Sequence, residues 1–103
     1  DTLMTTLHIL NAAPTQTTQL SSCLRVLSAG DGIVFCGEAV QALRAGSLAA
    51  QQLQGIDHSC KVYALEEDVL ARAIDAEALP VTLLDYPAFV ALCVAYSRVN
   101  SWT

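Results

Sequence analysis

Charged side chains are scarce in this 103-residue sequence, and basic ones most of all. Charged residues make up 15% of the chain and hydrophobic residues 53%, against about 25% charged in an ordinary soluble domain. The basic residues are scattered: Arg25, Arg44, Lys61, Arg72 and Arg98. Because nucleic-acid affinity depends mainly on neutralising phosphates, a chain of net charge −5 without a basic stripe is not expected to bind RNA or DNA directly. So few charges predict a subunit that buries part of its surface against partners, or else a monomer coated with Ser, Thr and Gln.

Long apolar runs are absent as well. No run approaches the roughly 18 residues of a membrane span, so we expect no membrane association. No charged-then-apolar leader is seen, so we expect a cytoplasmic protein. The length fits one domain. Met4 is the only methionine, and we interpret residues 1–3 as an expression remnant and residues 4–103 as the domain.

Closely spaced cysteines are missing too. Cys23, Cys36, Cys60 and Cys93 form no CxxC pair, and only His58 lies near one of them. A zinc site is therefore not expected, and no other metal or cofactor is indicated. We expect four free thiols, as is usual in a cytoplasmic protein.

What the sequence does contain is an alternation of short apolar runs and segments of helical periodicity. Strands are predicted at Thr6–Asn11, Ile33–Cys36, Lys61–Leu65 and Val81–Leu84. Helices are predicted over Thr18–Ala29, Gly37–Leu43 and Ser47–Leu53, and from Glu66 and Asp85 onward. Nearly continuous apolar strands, each followed by a helix, predict a small three-layer α/β/α sandwich with a mainly parallel sheet of four to five strands.

Local signals refine this prediction. Gly30 is expected to cap the first helix at its C-terminus, and Ser47 to cap a later helix at its N-terminus. Asp68 and Arg72 can pair at i, i+4. The helix that follows Glu66 is expected to bury Leu70, Ala73 and Ile74. The last helix is expected to bury Phe89, Leu92, Cys93 and Tyr96.

Among the thiols, Cys36 has the best position for chemistry. It ends a parallel strand just before a helix, at the edge where open α/β sheets bind ligands, and a helix N-terminus stabilises thiolate. By periodicity alone Cys23 lies on the apolar stripe of its helix and is predicted to pack in the core. Cys60 starts a strand and is expected to be semi-exposed, and Cys93 to pack in the core.

Other catalytic arrangements are missing. No glycine-rich loop stands between a strand and a helix, and no Gly-x-Ser-x-Gly elbow is present, so nucleotide binding and serine hydrolysis are not indicated. His8 lies in the middle of a strand and is predicted to be a core histidine with satisfied hydrogen bonds. His58 is predicted to be a solvated loop side chain.

Several segments resemble one known family over almost the whole chain from Met4 onward. They are Leu7–His8, the run KVYALEED at Lys61–Asp68 continuing to Ala71–Arg72, the pair Asp85–Tyr86 with Phe89–Val90 and Leu92, and the terminal Trp102. In this order and spacing they resemble the TusB/DsrH family of DsrE/F/H-like sulfur-relay subunits.

The resemblance implies a non-catalytic or accessory subunit of a cytoplasmic heterohexamer. Its partners would be TusC/DsrF-like and TusD/DsrE-like subunits and, indirectly, TusA- and TusE-like sulfur carriers. The complex would pass persulfide sulfur toward 2-thiouridine at the tRNA wobble position, or serve sulfur oxidation. Alternative hypotheses are a self-sufficient persulfide sulfurtransferase and a homo-oligomeric binder of small ligands.

The resemblance also bears on two of the cysteines. The setting Ser22-Cys23-Leu24-Arg25 is similar to that of a cysteine in DsrH-type members, which makes Cys23 a candidate accessory persulfide carrier. Cys36 is the weaker candidate, because relatives have a polar residue and Asp-Gly where this chain has Cys36-Gly37-Glu38. The sulfur-accepting cysteine of the family belongs to the TusD/DsrE subunit.

Overall fold

The computed structural model describes residues 5–13, 18–76 and 80–102. The suggested remnant at residues 1–3 lies outside the described residues, and the extent of the domain, 4–103, stays a prediction. Five strands are present: β1 (Thr6–Leu10), β2 (Gly32–Phe35), β3 (Lys61–Leu65), β4 (Val81–Leu84) and β5 (Arg98–Ser101). The helices are α1 (Gln19–Val26), a 3₁₀ helix (Gly37–Leu43), α2 (Leu48–Gln54), α3 (Glu66–Ala71) and α4 (Tyr86–Ala95).

All strand pairs are parallel, and their order in the sheet is β4-β3-β2-β1-β5. The chain steps in one direction from β1 to β4, so right-handed crossovers place α1, the 3₁₀ helix, α2 and α3 on the same face. The connection from β4 to β5 runs back across the whole sheet, which places α4 on the opposite face. The predicted α/β/α sandwich is confirmed, and its third layer is a single helix.

The main core lies between the sheet and the four-helix side. Leu10, Ile33, Phe35, Val62 and Ala64 supply the strand side chains of this core, and α1, the 3₁₀ helix, α2 and α3 cover them. On the other face Tyr96, just after α4, lies over Gly32. A Cβ added at Gly32 would stand 2.5 Å from the Tyr96 hydroxyl, so only glycine leaves room for this ring.

Two local predictions are confirmed by side-chain contacts. The Ser47 hydroxyl accepts the Ala50 N–H at 3.0 Å and so caps α2. Asp68 and Arg72 form the predicted i, i+4 ion pair at 3.7 Å. The first turn of α4 contains Pro87, and the Asp85 side chain before it accepts the N–H of Ala88 at 2.9 Å.

Two other local predictions are wrong. Helix α1 ends at Val26, so Gly30, with φ +87°, shapes the turn into β2 instead of capping the helix. Helix α3 ends at Ala71, and the chain then bends so that the N–H of Ile74 bonds the carbonyl of Val69 at 3.1 Å. Val69 and Ile74 therefore enter the core, and Leu70, expected to be buried, is 69% exposed.

Candidate functional site

Cys36 lies where the sequence places it, at the carboxyl end of β2 and directly before the 3₁₀ helix. The side chain is half-buried, and its thiol donates to the carbonyl of Leu10 at 3.4 Å. The carboxylate of Asp68 accepts the N–H of Gly37 at 2.9 Å. Burial, and then the negative charge of Asp68, raise the pKa of the Cys36 thiol. At neutral pH Cys36 is therefore a neutral thiol.

The guanidinium of Arg72, which contacts the 3₁₀ helix beside this edge, is already paired. Its NH2 group lies 2.8 Å from a Glu38 oxygen, and its NH1 group donates to the Asp68 carbonyl at 3.1 Å. Arg44 in turn donates to the carbonyl of Arg72 at 3.2 Å. These contacts tie the 3₁₀ helix to α3. The carboxyl edge thus presents a carboxylate, and not a free cation, to Cys36, which is the opposite of what activates a thiol.

Cys23 lies on α1 with no exposed surface, inside the main core. Burial, and then the negative charge of Asp31, raise the pKa of its thiol to about 12. Sulfur transfer at Cys23 would need a local opening of the fold and a different electrostatic environment. The assignment of Cys23 as a carrier stays a prediction.

Cys60 is more buried than its position at a loop edge predicts. It is 8% exposed, and its thiol donates to the carbonyl of Ser28 at 3.3 Å. The reason is that Ser59 accepts the N–H of Gly30 at 3.0 Å, which draws the loop before β3 onto the turn before β2. Burial, and then the charges of Asp57 and Asp31, raise the pKa of Cys60. Cys93 is half-buried on α4, outside the main core cluster.

Three side chains that are far apart in sequence form a buried polar network. His8 and Asp31 are 4% and 3% exposed. The indole N–H of Trp102 donates to Nδ1 of His8 at 3.1 Å, and Nε2 of His8 lies 3.2 Å from Asp31. Because an indole nitrogen can only donate, Nδ1 is the acceptor and Nε2 carries the proton shared with Asp31. The predicted satisfied core histidine is confirmed.

Asp31 is the centre of this network. Besides His8, its carboxylate accepts the backbone N–H groups of Thr6 and Ser28, each at 3.0 Å. Burial alone would raise the pKa of Asp31, but these hydrogen bonds to the ionised form hold it below its usual value. Sequence reasoning missed Asp31, because it lies between Gly30 and Gly32 and such a run is typical of an exposed turn. The network joins β1, the turn before β2 and the end of β5, and so has a structural role.

Helix α4 is the most apolar exposed element. Its ten residues, YPAFVALCVA, contain no charge, and none of them is fully buried. The predicted stripe of Phe89, Leu92, Cys93 and Tyr96 is half-buried, because one helix about 10 Å wide cannot cover a sheet about 20 Å wide. On the outer side Tyr86, Val90 and Val94 are 56%, 57% and 81% exposed. A helix that is apolar all round is normally enclosed by protein.

The strand positions on the same face of the sheet carry one charge, that of Lys61. By register and alternation they are Leu7, Ile9, Gly32, Val34, Lys61, Tyr63, Leu65, Thr82, Leu84, Val99 and Ser101. Val99, on the edge strand β5, is 45% exposed. The layer formed by α4 and this sheet face has the character of an interface.

Other features of the described residues are less informative about chemistry. A cavity of about 410 Å³ lies at the amino ends of β3 and β4 and is lined by Cys60, His58 and Lys61 among others, but not by Cys23 or Cys36. Within residues 5–13, 18–76 and 80–102, no three His, Cys, Asp or Glu side chains are grouped so as to hold a metal ion. In the same residues no helix has the length and apolarity needed to cross a membrane.

Comparison with known proteins agrees with this fold. The chain is 16% identical to the ychN protein of Escherichia coli, whose crystal structure superimposes with a TM-score of 0.78, over 97% of this chain and 100% of that one. The solution structure of protein Tm0979 from Thermotoga maritima matches with a TM-score of 0.60 and 25% identity, over 86% of this chain and 91% of the other.

Sequence comparison identifies the relatives. The chain is 34% identical over 97 residues to Protein TusB of Shigella flexneri, covering 93% of this chain and 99% of that protein. It is 33% identical, with the same coverage, to Protein TusB of Escherichia coli K12. The family described as DsrH like protein matches residues 12–99. The resemblance read from the sequence is thereby confirmed, and the chain belongs to the TusB/DsrH family.

Proposed function

We propose that this chain is a non-catalytic subunit of a cytoplasmic sulfur-relay complex that supports 2-thiouridine formation at the tRNA wobble position. Its partners are TusC/DsrF-like and TusD/DsrE-like subunits, two copies of each assembling with two copies of this chain. Membership in the TusB/DsrH family supports this proposal. The acidic chain, with only five basic residues, is not suited to bind tRNA itself.

The observation that carries the proposal is the state of the thiols. In a persulfide relay, an acceptor thiolate attacks the outer sulfur of a donor persulfide. A new acceptor persulfide forms, and the donor leaves as its thiolate. Cys23 is buried with a pKa raised to about 12, and Cys36 and Cys60 also have raised pKa values beside carboxylates. None of these three sulfurs is set up as the attacking thiolate, which supports a relay in which a partner subunit supplies it.

In this arrangement the chain contributes shape and surface. Its parallel sheet is fixed by the main core on one face and by the network of His8, Asp31 and Trp102 at its side. A rigid support of this kind positions the loops of a partner that carry the reactive thiol. The apolar surface of α4 is the kind of surface that a subunit buries in an assembly.

The test is to co-express the chain with TusC-like and TusD-like partners, treat the purified complex with a persulfide donor, and weigh each subunit by mass spectrometry. We expect an added mass of about 32 Da, one sulfur, on the TusD-like partner and none on this chain. Cys23→Ser and Cys36→Ser variants that still assemble should leave sulfur loading of the partner unchanged.

The rival function, a self-sufficient sulfurtransferase, makes the opposite prediction for the isolated chain. A sulfur adduct on the lone subunit that disappears in Cys23→Ser or Cys36→Ser would refute the proposal. Failure to co-purify with both partners would refute it as well.

A further inference from the structure

The cavity at the amino ends of β3 and β4, here called the amino-edge cleft, has the size and lining of a small-molecule site. Its volume of about 410 Å³ falls within the roughly 300–1,000 Å³ that is typical of such sites. Its apolar walls are formed by Leu53 and Ile56, at and after the end of α2, and by the paired strand residues Val62 and Val81. Polar side chains, among them His58 and Lys61, line the rest of it. Apolar walls with a few polar groups are the usual composition of a ligand pocket.

We propose that the amino-edge cleft binds a small carboxylate with an apolar body, which lies against the apolar walls while Lys61 holds the carboxylate. The inference goes beyond the proposed function, because it assigns a ligand to this chain and holds whether or not the complex handles sulfur. The cleft is also separate from Cys36, which lies at the carboxyl edge of the sheet and does not line it.

Lys61 supplies the charge that selects an anion. It is exposed, and among the residues that the structure describes no acidic side chain forms an ion pair with its ammonium group. Arg72, in contrast, is paired with Glu38. Lys61 points to the α4 face of the sheet and Val62 to the other face, but Lys61 is the first residue of β3. Its long flexible stem can therefore carry the ammonium around the end of the strand to the mouth of the cleft.

Asp57 also lines the cleft, but its carboxylate is engaged within its own loop. It accepts the N–H of Ser59 at 2.8 Å, and this hydrogen bond is the main reason that the pKa of Asp57 is lowered. A cationic ligand would be repelled by Lys61 and would have to share a carboxylate already bonded to Ser59. An anionic ligand meets an ammonium group without such a partner. The charges at the cleft therefore favour an anionic head group on the ligand.

The loop that borders the cleft is held in place before any ligand arrives. The N–H of Cys60 donates to the carbonyl of Asp57 at 3.0 Å, and the thiol of Cys60 donates to the carbonyl of Ser28 at 3.3 Å. The hydroxyl of Ser59 accepts the N–H of Gly30 at 3.0 Å. Because these contacts already order the loop, a ligand loses little affinity to ordering it.

The test titrates the ¹⁵N-labelled full chain with sodium hexanoate at constant ionic strength and follows the backbone amide signals by NMR. We expect saturable shifts centred on His58, Val62 and Thr82, with a Kd of about 1 mM. Acetate, which keeps the carboxylate but lacks the apolar body, should not saturate up to about 20 mM. 1-Hexanol, which keeps the body but lacks the charge, should bind about three- to fivefold more weakly than hexanoate.

Variants of Lys61 test the origin of the preference for an anion. Lys61→Gln should weaken hexanoate binding by about three- to fivefold and leave 1-hexanol binding unchanged. Lys61→Glu should weaken hexanoate binding by at least about tenfold and allow hexylamine to bind instead. Arg98→Gln is the matched control, because Arg98 is an exposed basic residue on β5, at the opposite edge of the sheet, and its loss should change nothing.

Three results would overturn the inference. They are the absence of saturable hexanoate shifts up to about 20 mM, shifts centred on residues outside the cleft, and hexylamine binding to the wild-type chain as tightly as hexanoate. Equal hexanoate affinity of Lys61→Gln and wild type would remove the assigned role of Lys61 and overturn it as well. None of these results bears on sulfur loading of a partner subunit, so the proposed function would still stand.

Discussion

Replacing Asp31 by asparagine removes one negative charge from the interior while keeping the size of the side chain. In the native protein both carboxylate oxygens of Asp31 only accept hydrogen bonds, from the N–H groups of Thr6 and Ser28 at 3.0 Å and from His8 at 3.2 Å. Asparagine has one oxygen and one NH₂ group. In either orientation, its NH₂ group faces at least one of these donors, so at least one hydrogen bond is lost and two donors are placed in contact.

The cost follows from the burial of this network. A hydrogen bond to a charged group contributes about 1.5–3 kcal/mol, and a buried donor left without a partner costs about 1–3 kcal/mol. Asp31 is 3% exposed, so little water is available to compensate. We expect Asp31→Asn to lower the free energy of unfolding by about 3 kcal/mol. With a urea slope of about 1.5–2 kcal/mol per molar, the unfolding midpoint falls by about 1.5–2 M.

The difference in the free energy of unfolding between wild type and Asp31→Asn should depend on pH, and its sign can be predicted. The pKa of Asp31 is below its usual value in the folded protein, because hydrogen bonds from Thr6, Ser28 and His8 outweigh the effect of burial. The stability from the ionised form is therefore fully present above the unfolded pKa of about 3.9 and is lost as pH falls through the folded pKa. The difference in the free energy of unfolding between wild type and Asp31→Asn should be constant from about pH 5 to 7 and should become smaller below about pH 4.

Trp102, the single tryptophan, is bonded to His8 and so reports directly on the network through its fluorescence during urea unfolding. Asp85→Asn is a matched control, since Asp85 is exposed and asparagine caps a helix about as well as aspartate. Its midpoint should change little. The reasoning is refuted if Asp31→Asn lowers the free energy of unfolding by less than about 1 kcal/mol. It is also refuted if the difference in this free energy from wild type is the same at pH 7 and pH 3.

Three further changes test other parts of the structure. Gly32→Ala forces the Tyr96 ring to move, and we expect a loss of about 1–3 kcal/mol in thermal unfolding. Cys23→Ser places a hydroxyl in the apolar core and should cost about 1–3 kcal/mol, more than Cys23→Ala if the thiol serves packing, as urea titration of both variants would show. Ser47→Ala removes the hydroxyl that accepts the Ala50 N–H and should cost about 1 kcal/mol, whereas Ser47→Asn should restore most of it.

The strands that could be predicted are the ones with apolar sequences. β2, β3 and β4 are nearly continuous apolar runs, and the predicted bounds of β3 and β4 coincide with those of the structure. The sequence does not locate the fifth strand, Arg98–Ser101, because its run RVNS is mostly polar and all four residues are exposed. Such a strand has no apolar signature, and its pairing with β1 defines it.

For the candidate site, the position of Cys36 could be predicted from the sequence, but the electrostatic environment of its thiol could not. The place of Cys36 at the end of a parallel strand follows from the local order of strand and helix. The raised pKa of its thiol depends first on burial and then on Asp68, which is 32 positions away in sequence and accepts the N–H of Gly37. Periodicity placed Leu70 in the core because it assumed a longer helix, and the bend after Ala71 put Val69 there instead.

The sequence by itself determined the alternation of strands and helices, the parallel sheet, the shortage of charge and the family, because each of these is carried by composition or by residues close together in the chain. Tertiary structure alone decided which thiols are covered, how Trp102 reaches His8 across 94 positions, and which layer stays open. The physical reason is that burial and electrostatic environment arise from contacts between distant segments. The return of the chain from β4 to β5 leaves only α4 to cover one face of the sheet, and no local pattern records that path.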